Sequence, residues 1–142
     1  MKEFSLGLLK PDCIQRGLVV TVLEMVRRAG LKIVAIKKLT LTKEDVEIFY
    51  ANCRNEDFFE GLLEFMQSGP VIGFIVEGEN ARDVLTELVG FNEPSLAKVG
   101  TIRSMGIDIR HNLAHSSRNK EDFLREANVI FTKDELREIG VE

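Results

Sequence analysis

The sequence has few cysteines, no tryptophan and no long apolar run, and these absences exclude several classes of protein. Its 142 residues include only two cysteines, Cys13 and Cys53, without the CxxC spacing of a zinc site or the density of a disulfide framework. The longest apolar run, 70–76, is far below membrane-spanning length. The N-terminal apolar stretch meets Lys10-Pro11-Asp12 too early for a signal peptide. We therefore expect a cytoplasmic protein with no membrane partner.

An excess of positive charge and the common nucleotide motifs are also absent. Lysine and arginine number 19 against 23 aspartate and glutamate, so the net charge is -4, which argues against a general nucleic-acid binder. The sequence contains no GxxxxGK[ST], GxGxxG, GxSxG or HExxH motif. Any anionic ligand must therefore be bound by a few local cations.

The length of 142 residues and a 44% hydrophobic content predict a single domain over residues 1–142. Periodicity and capping signals predict strands at 4–9, 31–39 and 71–76, the last of them central, and a strand or extended segment at 106–115. They predict helices capped by Asp12, Thr42 and Asn80 and further helices at 57–67, 120–127 and 132–139, with an interruption at Gly17 and a loop at 91–105. This order indicates an α/β (α+β) protein of the ferredoxin-like βαββαβ class, with an antiparallel four-stranded sheet and an added helical hairpin.

The two histidines narrow the search for chemistry. His111 and His115 lie in a polar segment that also carries arginines and hydroxyl groups, which makes His115 a candidate nucleophile or acid–base group. A purely structural histidine is the alternative. The HxxxH spacing would suit zinc, but no nearby cysteine or carboxylate cluster supplies a third ligand. His111 is interpreted as a surface residue.

Other candidates are ambiguous when each is taken alone. Lys10 follows the first strand, where ligands collect in α/β sheets, and Arg103 ends the long loop, but either could be an ordinary exposed cation. Phe58 could stack on a base, although paired aromatic residues are more often part of a core. Tyr50 is the only tyrosine.

Several short motifs follow one another along the chain: Lys10-Pro11-Asp12, Gln15-Arg16-Gly17-Leu18-Val19, Phe58-Phe59, Met66-Gln67-Ser68-Gly69-Pro70-Val71, Gly100-Thr101-Ile102-Arg103 and Asn112-Leu113-Ala114-His115-Ser116-Ser117. Together, from about residue 3 to residue 138, they resemble the nucleoside diphosphate kinases in order and spacing.

The resemblance implies ping-pong transfer of the γ-phosphoryl group of a nucleoside triphosphate, chiefly ATP, to a nucleoside diphosphate through a phosphohistidine. It implies Mg²⁺ held mainly by the nucleotide phosphates rather than by protein ligands, with broad tolerance of base and sugar. It also implies a homo-oligomer, either tetramer or hexamer, in which Pro94 and the long loop lie where subunits meet.

The resemblance assigns roles to residues at matching positions. His115 would carry the phosphoryl group, Glu126 would orient its imidazole, and Lys10 and Arg103 would contact the phosphates with Tyr50 beside Lys10. The remaining assignments are base stacking by Phe58, packing near the base by Leu62, a sugar contact by Asn112, and help for the leaving and arriving phosphoryl group by Ser117.

The chain also departs from the family pattern. The segment after the histidine reads Ser116-Ser117-Arg118-Asn119 where the family usually has Gly-Ser-Asp-Ser, and one residue is missing between Arg103 and Gly106. Thr86 stands at the position of a phosphate-binding arginine, and Asn92 at that of a phosphate-binding threonine. Two compensating cations are hypothesised: Arg82, one helical turn before Thr86, and Arg118.

Two other classes of function remain as alternatives. The changed residues after His115 motivate a nucleotide-binding regulator or scaffold with reduced turnover, and the fold alone would suit a ligand sensor. The joint presence of Lys10, Asn112, His115 and Glu126 favours the enzyme.

Overall fold

A computed structural model describes residues 2–141. The strands are β1 (Lys2–Leu9), β2 (Lys32–Leu39), β3 (Val71–Glu79) and β4 (Ala114–Ser116). The helices are α1 (Pro11–Gln15), α2 (Val19–Arg28), α3 (Lys43–Phe49), α4 (Phe59–Met66), α5 (Ala81–Val89), α6 (Lys120–Ile130) and α7 (Lys133–Glu138). Within the described residues, no helix has the length and apolar character needed to span a bilayer.

The strands form one four-stranded sheet in the order β2-β3-β1-β4, with every neighbouring pair antiparallel. The predicted ferredoxin-like α+β architecture is therefore confirmed, and β3 is central as expected. Successive side chains of a strand point to opposite faces, so Ile75 packs in one apolar cluster and Phe74 and Val76 in another. The first cluster includes residues of α3, α4, α6 and α7, and the second includes residues of α2 and α5, so helices cover both faces of the sheet.

Capping explains where several helices begin. The hydroxyl groups of Thr42 and Thr132 each accept a hydrogen bond from the backbone N–H three residues later. The carboxylates of Asp45 and Glu135 accept hydrogen bonds from the backbone N–H groups of Thr42 and Thr132, so both predicted capping boxes are present. The prediction for Asn80 is wrong: it precedes α5 in the left-handed region, with a φ of 52°, and its side chain makes no capping bond.

The first predicted helix is divided into α1 and α2 by Gly17, whose φ is 69°. Asp12 does not cap α1, which is a second correction. Its Oδ2 instead accepts a hydrogen bond from the backbone N–H of Leu113 at 3.1 Å, because the last strand lies beside the start of this helix.

The prediction of a strand or extended segment over 106–115 is also wrong for most of its length. Only Ala114–Ser116 pairs with β1, and the preceding residues form a loop. Leu113 has a φ of 77°, and the N–H of Ala114 bonds to the carbonyl of Asn112 at 3.0 Å, which closes a γ-turn that no strand can contain. The predicted loop over 91–105 contains two short 3₁₀ turns, Pro94–Leu96 and Arg103–Met105.

Candidate active site

A cleft of about 480 Å³ lies at the end of β1 and β4, between α4, α6 and the segment 90–112. It collects eleven residues singled out from the sequence: Lys10, Tyr50, Phe58, Leu62, Thr86, Asn92, Arg103, Asn112, His115, Arg118 and Glu126. The first and last strands of the chain meet here, because His115 of β4 pairs with Leu8 of β1.

His115 is held by a carboxylate and by two aromatic rings. Its Nε2 lies 2.8 Å from Oε1 of Glu126, and the rings of Phe49 and Tyr50 meet the imidazole edge-on at centroid distances of 5.0 and 5.6 Å. An ionised carboxylate only accepts hydrogen bonds, so Nε2 carries the proton and Nδ1 keeps its lone pair. The geometry therefore makes Nδ1 the nucleophilic nitrogen.

Glu126 is buried, with 1% of its surface exposed, and both of its oxygens are in contact with other side chains. Oε1 also accepts a hydrogen bond of 2.7 Å from the hydroxyl of Ser117, and Oε2 lies 3.5 Å from Nη2 of Arg125. Ser117 is fully buried and does not line the cleft, so its partner is Glu126. From this position Ser117 acts on the histidine through Glu126.

Lys10 lies buried at the end of β1, where its ammonium group donates to the carbonyl of Arg110 and to Oδ1 of Asn112, both at 2.9 Å. Burial, aided by the nearby charge of Arg103, lowers the pKa of Lys10 from the ordinary 10.5 to about 7. An anion that binds beside Lys10 therefore stabilises the charged form of its amino group.

Asn112 ties three parts of the cleft together. While its oxygen accepts from Lys10, its Nδ2 donates to the carbonyls of Asn92 and Ile109 at 2.8 and 2.9 Å. Only a lone pair of Oδ1 remains for a ligand hydroxyl.

Arg103 and Tyr50 complete the inner end of the cleft. The guanidinium of Arg103 donates to the carbonyls of Ala114 at 3.0 Å and Gly90 at 3.2 Å, and burial lowers its pKa. Burial also raises the pKa of Tyr50, whose hydroxyl donates to the sulfur of Met66 at 3.9 Å, so the phenol stays protonated. Tyr50 and Lys10 both line the cleft, and the placement of Tyr50 beside Lys10 stays a prediction.

The outer end of the cleft is apolar. Phe58 precedes α4 with 51% of its surface exposed, Leu62 lies one turn further, and Ile109 is also exposed. A flat aromatic face that is open to solvent and lies beside aliphatic side chains can stack on a planar ligand.

The two hypothesised compensating cations, Arg82 and Arg118, differ in whether they line the cleft. The proposal for Arg82 is wrong, because its guanidinium is paired with Glu3 at 2.9 Å and does not line the cleft. Glu3 lies near the start of β1, at the opposite end of the strand from Lys10. Arg118 does line the cleft and is exposed, with its Nε 2.8 Å from Oδ2 of Asp122.

Sequence reasoning missed three charged residues of the cleft. Asp122 is buried and joins Arg118 to Arg125, with Oδ1 3.1 Å from Nη1 of Arg125. The helical spacing of Arg118, Asp122 and Arg125 was a signal for this cluster. Arg110 had no such signal, because it lies in a loop.

A protein cage for a metal ion is absent from residues 2–141, which contain no group of three or more histidine, cysteine, aspartate and glutamate side chains suited to one. Both carboxylates of the cleft are engaged, Glu126 by His115 and Ser117, and Asp122 by two arginines. A metal ion that enters this cleft must therefore bring most of its ligands with it.

Comparisons with known proteins agree with this geometry. A sequence model of the family described as nucleoside diphosphate kinase matches residues 3–136. The nucleoside diphosphate kinase of Archaeoglobus fulgidus is 42% identical over 135 residues, covering 94% of this chain and 89% of that protein. That of Actinobacillus pleuropneumoniae serotype 3 is 40% identical over 137 residues, covering 96% and 99%.

Solved structures give the same result. The nucleoside diphosphate kinase of Aquifex aeolicus superposes with a TM-score of 0.90 at 34% identity, covering 95% of this chain and 99% of that one. A halophilic nucleoside diphosphate kinase from Halobacterium salinarum in complex with CDP has a TM-score of 0.90 at 34% identity, covering 95% and 91%.

Proposed function

The chain belongs to the nucleoside diphosphate kinase family, and on that premise we propose that His115 carries the phosphoryl group between its two nucleotide substrates. The protein is an enzyme, a phosphotransferase that acts on nucleotides. The observation that supports His115 is the 2.8 Å contact of its Nε2 with Glu126 inside a cleft that also contains Lys10 and Arg103.

The proposed reaction has two balanced halves. The lone pair of His115 Nδ1 attacks the γ-phosphorus, and the bond to the β,γ-bridging oxygen breaks with its electrons leaving on the diphosphate. A terminal oxygen of a second diphosphate then attacks the phosphorus, and the electrons of the N–P bond return to Nδ1. Glu126 keeps the proton on Nε2 and stabilises the positive charge that the ring acquires.

Charge on the transferred group is balanced by the buried cations. We assign the phosphate contacts to Lys10 and Arg103, with the hydroxyl of Thr86 and the amide of Asn92 at the rim. Arg118 is the arginine that takes the place left by Thr86, because it lines the cleft and is exposed enough to turn from Asp122 to a phosphate.

The nucleoside would occupy the apolar end of the cleft. Phe58 stacks on the base beside Leu62, and Oδ1 of Asn112 accepts a hydrogen bond from a sugar hydroxyl. Ser117 is a positioning residue here, since its hydroxyl holds the carboxylate that holds the histidine. Tyr50 keeps the imidazole ring in place through the edge-on contact.

Mg²⁺ is proposed as part of the substrate rather than as a resident of the protein. Enzymes of this family typically use a divalent metal, and the paired carboxylates of the cleft leave its coordination to the nucleotide phosphates. Mg²⁺ bound to the nucleotide would neutralise phosphate charge before the cations of the protein meet it.

The proposal also covers the domain organisation, the cellular location and the oligomeric state of the enzyme. One sheet carries both apolar clusters, which supports a single domain over residues 1–142. The two free cysteines suit a cytoplasmic location, and apolar residues exposed on the long loop suit a homo-oligomer, tetramer or hexamer. No observation favours the alternative of a regulator or scaffold with reduced turnover.

Incubation with γ-labelled ATP and Mg²⁺ tests the central assignment. We expect acid-labile, alkali-stable label on the wild-type protein, chased by GDP, and none on His115→Ala. Glu126→Gln should label roughly 100-fold more slowly or worse, because the amide no longer stabilises the charged ring. His111→Ala is the matched control and should label normally, since His111 lies outside the cleft and bonds to Asp108. Label that persists in His115→Ala, or its absence from the wild type, would contradict the assignment.

A further inference from the structure

Arg110 presents a guanidinium group in the cleft that has no hydrogen-bond or ion-pair partner among residues 2–141. The other cleft arginines are engaged, Arg103 by two carbonyls and Arg118 and Arg125 by Asp122. The backbone of Arg110 is fixed at both ends, because its N–H donates to Asp108 at 3.0 Å and its carbonyl accepts from Lys10 at 2.9 Å. The backbone is therefore fixed, and the donors of the side chain remain available in the cleft.

The position of this guanidinium is set by a glycine in α4. A Cβ on Gly61 would collide with Nη2 of Arg110 and lie 2.8 Å from its Cζ, so the arginine rests against the helix where a side chain is missing. Gly61 is three residues after Phe58, and residues at this spacing share one helix face. The guanidinium thus lies against α4, on the helix that also positions Phe58.

We propose that Arg110 makes the enzyme selective for nucleotides whose base is a 6-oxopurine, such as guanine. Guanidinium groups only donate hydrogen bonds, and O6 and N7 of guanine are two adjacent acceptors that fit a bidentate contact. Adenine instead presents an amino donor beside N7, which repels a donor. Stacking on Phe58 does not distinguish bases, so Arg110 adds the selectivity that stacking lacks.

This inference rests on the proposed function and changes one expectation drawn from the resemblance, that of broad base tolerance. Phosphate and sugar contacts still admit every nucleotide. The contact of Arg110 with the edge of the base makes the binding affinity differ from one nucleotide to another.

Equilibrium binding measured by calorimetry tests the proposal without requiring turnover. The probes are GDP, ADP, IDP, which keeps O6 and N7, and 7-deaza-GDP, which lacks N7. We expect the wild-type protein to bind GDP and IDP at least about fivefold more tightly than ADP, with 7-deaza-GDP between them. In Arg110→Ala the GDP-to-ADP affinity ratio should fall to about one, and Arg110→Lys should retain part of it.

Two further variants separate base contact from general effects. Gly61→Ala retains the arginine but displaces its guanidinium, and alanine strengthens a helix, so the ratio should fall in a folded protein. Arg28→Ala removes an exposed arginine of α2 outside the cleft and should leave the ratio unchanged.

The failure of this inference can be distinguished from failure of the proposed function. The labelling of His115 by ATP tests the phosphate end of the cleft and is measured on the wild-type protein, apart from any choice between bases. Equal loss of GDP and ADP affinity in Arg110→Ala, or a ratio that neither Arg110→Ala nor Gly61→Ala alters, overturns the role of Arg110 while leaving the kinase chemistry intact. Missing label on the wild type overturns the chemistry instead.

Discussion

Lys10 shows how a single buried residue links pH to function. Only 5% of its surface is exposed, and burial together with Arg103 lowers its pKa to about 7. An unfolded lysine keeps its proton up to a pH of about 10.4, so between these two pKa values the folded chain binds fewer protons than the unfolded chain. The contribution of Lys10 to stability therefore becomes more favourable as the pH rises from about 7 to about 10.

The same shift predicts proton uptake when a nucleotide binds. A phosphate beside Lys10 favours its charged form and raises its pKa, so at pH 8 binding should take up close to one proton and at pH 6 almost none. Calorimetry of GDP binding in buffers of different ionisation enthalpy measures this number. Lys10→Met is the control and should abolish the uptake at pH 8; equal uptake by that variant would rule out Lys10 as its source.

At the scale of single residues, the sequence predicted which side chains line the cleft, but it did not predict their ion-pair and contact partners. The family motifs singled out His115, Lys10, Arg103 and Glu126, and the structure brings all four into one cleft. Arg82 was misassigned because helical periodicity gives a face but not a partner, and Glu3 on β1 binds its guanidinium. The role of Arg110 depends on a contact with Gly61 that is remote in sequence.

At the scale of elements, the turn before β4 is the part that places the histidine. Leu113 adopts a φ of 77°, which costs free energy for a residue with a branched side chain. Its carbonyl accepts from the N–H of Lys10 at 2.9 Å and its N–H donates to Asp12 at 3.1 Å, so the segment 10–12 holds the turn from both sides. This turn directs Asn112 into the cleft and starts the strand that carries His115.

Removal of the Asp12 contact should therefore weaken both stability and activity. Asp12→Ala leaves a buried N–H of Leu113 without a partner, which should lower the free energy of unfolding by about 1–3 kcal/mol. Urea denaturation measures the stability, and the rate of phosphohistidine formation should fall with it. Asp12→Asn retains an acceptor oxygen and should behave more like the wild type; if Asp12→Ala were as stable and active as the wild type, the turn would not depend on this bond.

Helices and long strands were predictable because their signals are local. Apolar periodicity and the two capping boxes identified most of the elements, and the helix after His115 was placed correctly although it extends to Ile130. The segment 106–115 was misread because its shape depends on Lys10 and Asp12, which are distant in sequence. Local patterns contain no information about such contacts.

The whole molecule exposes apolar surface on the segment that follows α5. Leu96 is 70% exposed, Val99 100% and Ile107 71%, all on one loop region. Such exposure is costly in water unless another chain covers it. It supports the proposed homo-oligomer with the loop at a subunit contact.

A charged pair of substitutions tests this assembly. Leu96→Asp combined with Val99→Asp should lower the mass measured by light scattering, because carboxylates cannot be buried at an apolar contact without a large cost. Ile48→Asp changes an exposed apolar residue of α3 and is the control. A wild-type protein that is monomeric, or a double variant of unchanged mass, contradicts the placement of the contact on this loop.

The pairing of β1 with β4 has a consequence for the order of folding. Lys10 and Leu113 are joined by a backbone hydrogen bond although most of the chain lies between them, and Glu126 is farther still along the sequence. Contacts between residues so far apart in sequence slow the folding of a chain. During synthesis, the ribosome must therefore release the segment through Glu126 before the cleft can assemble, and a nascent chain that has folded only its first three strands has no phosphotransfer activity.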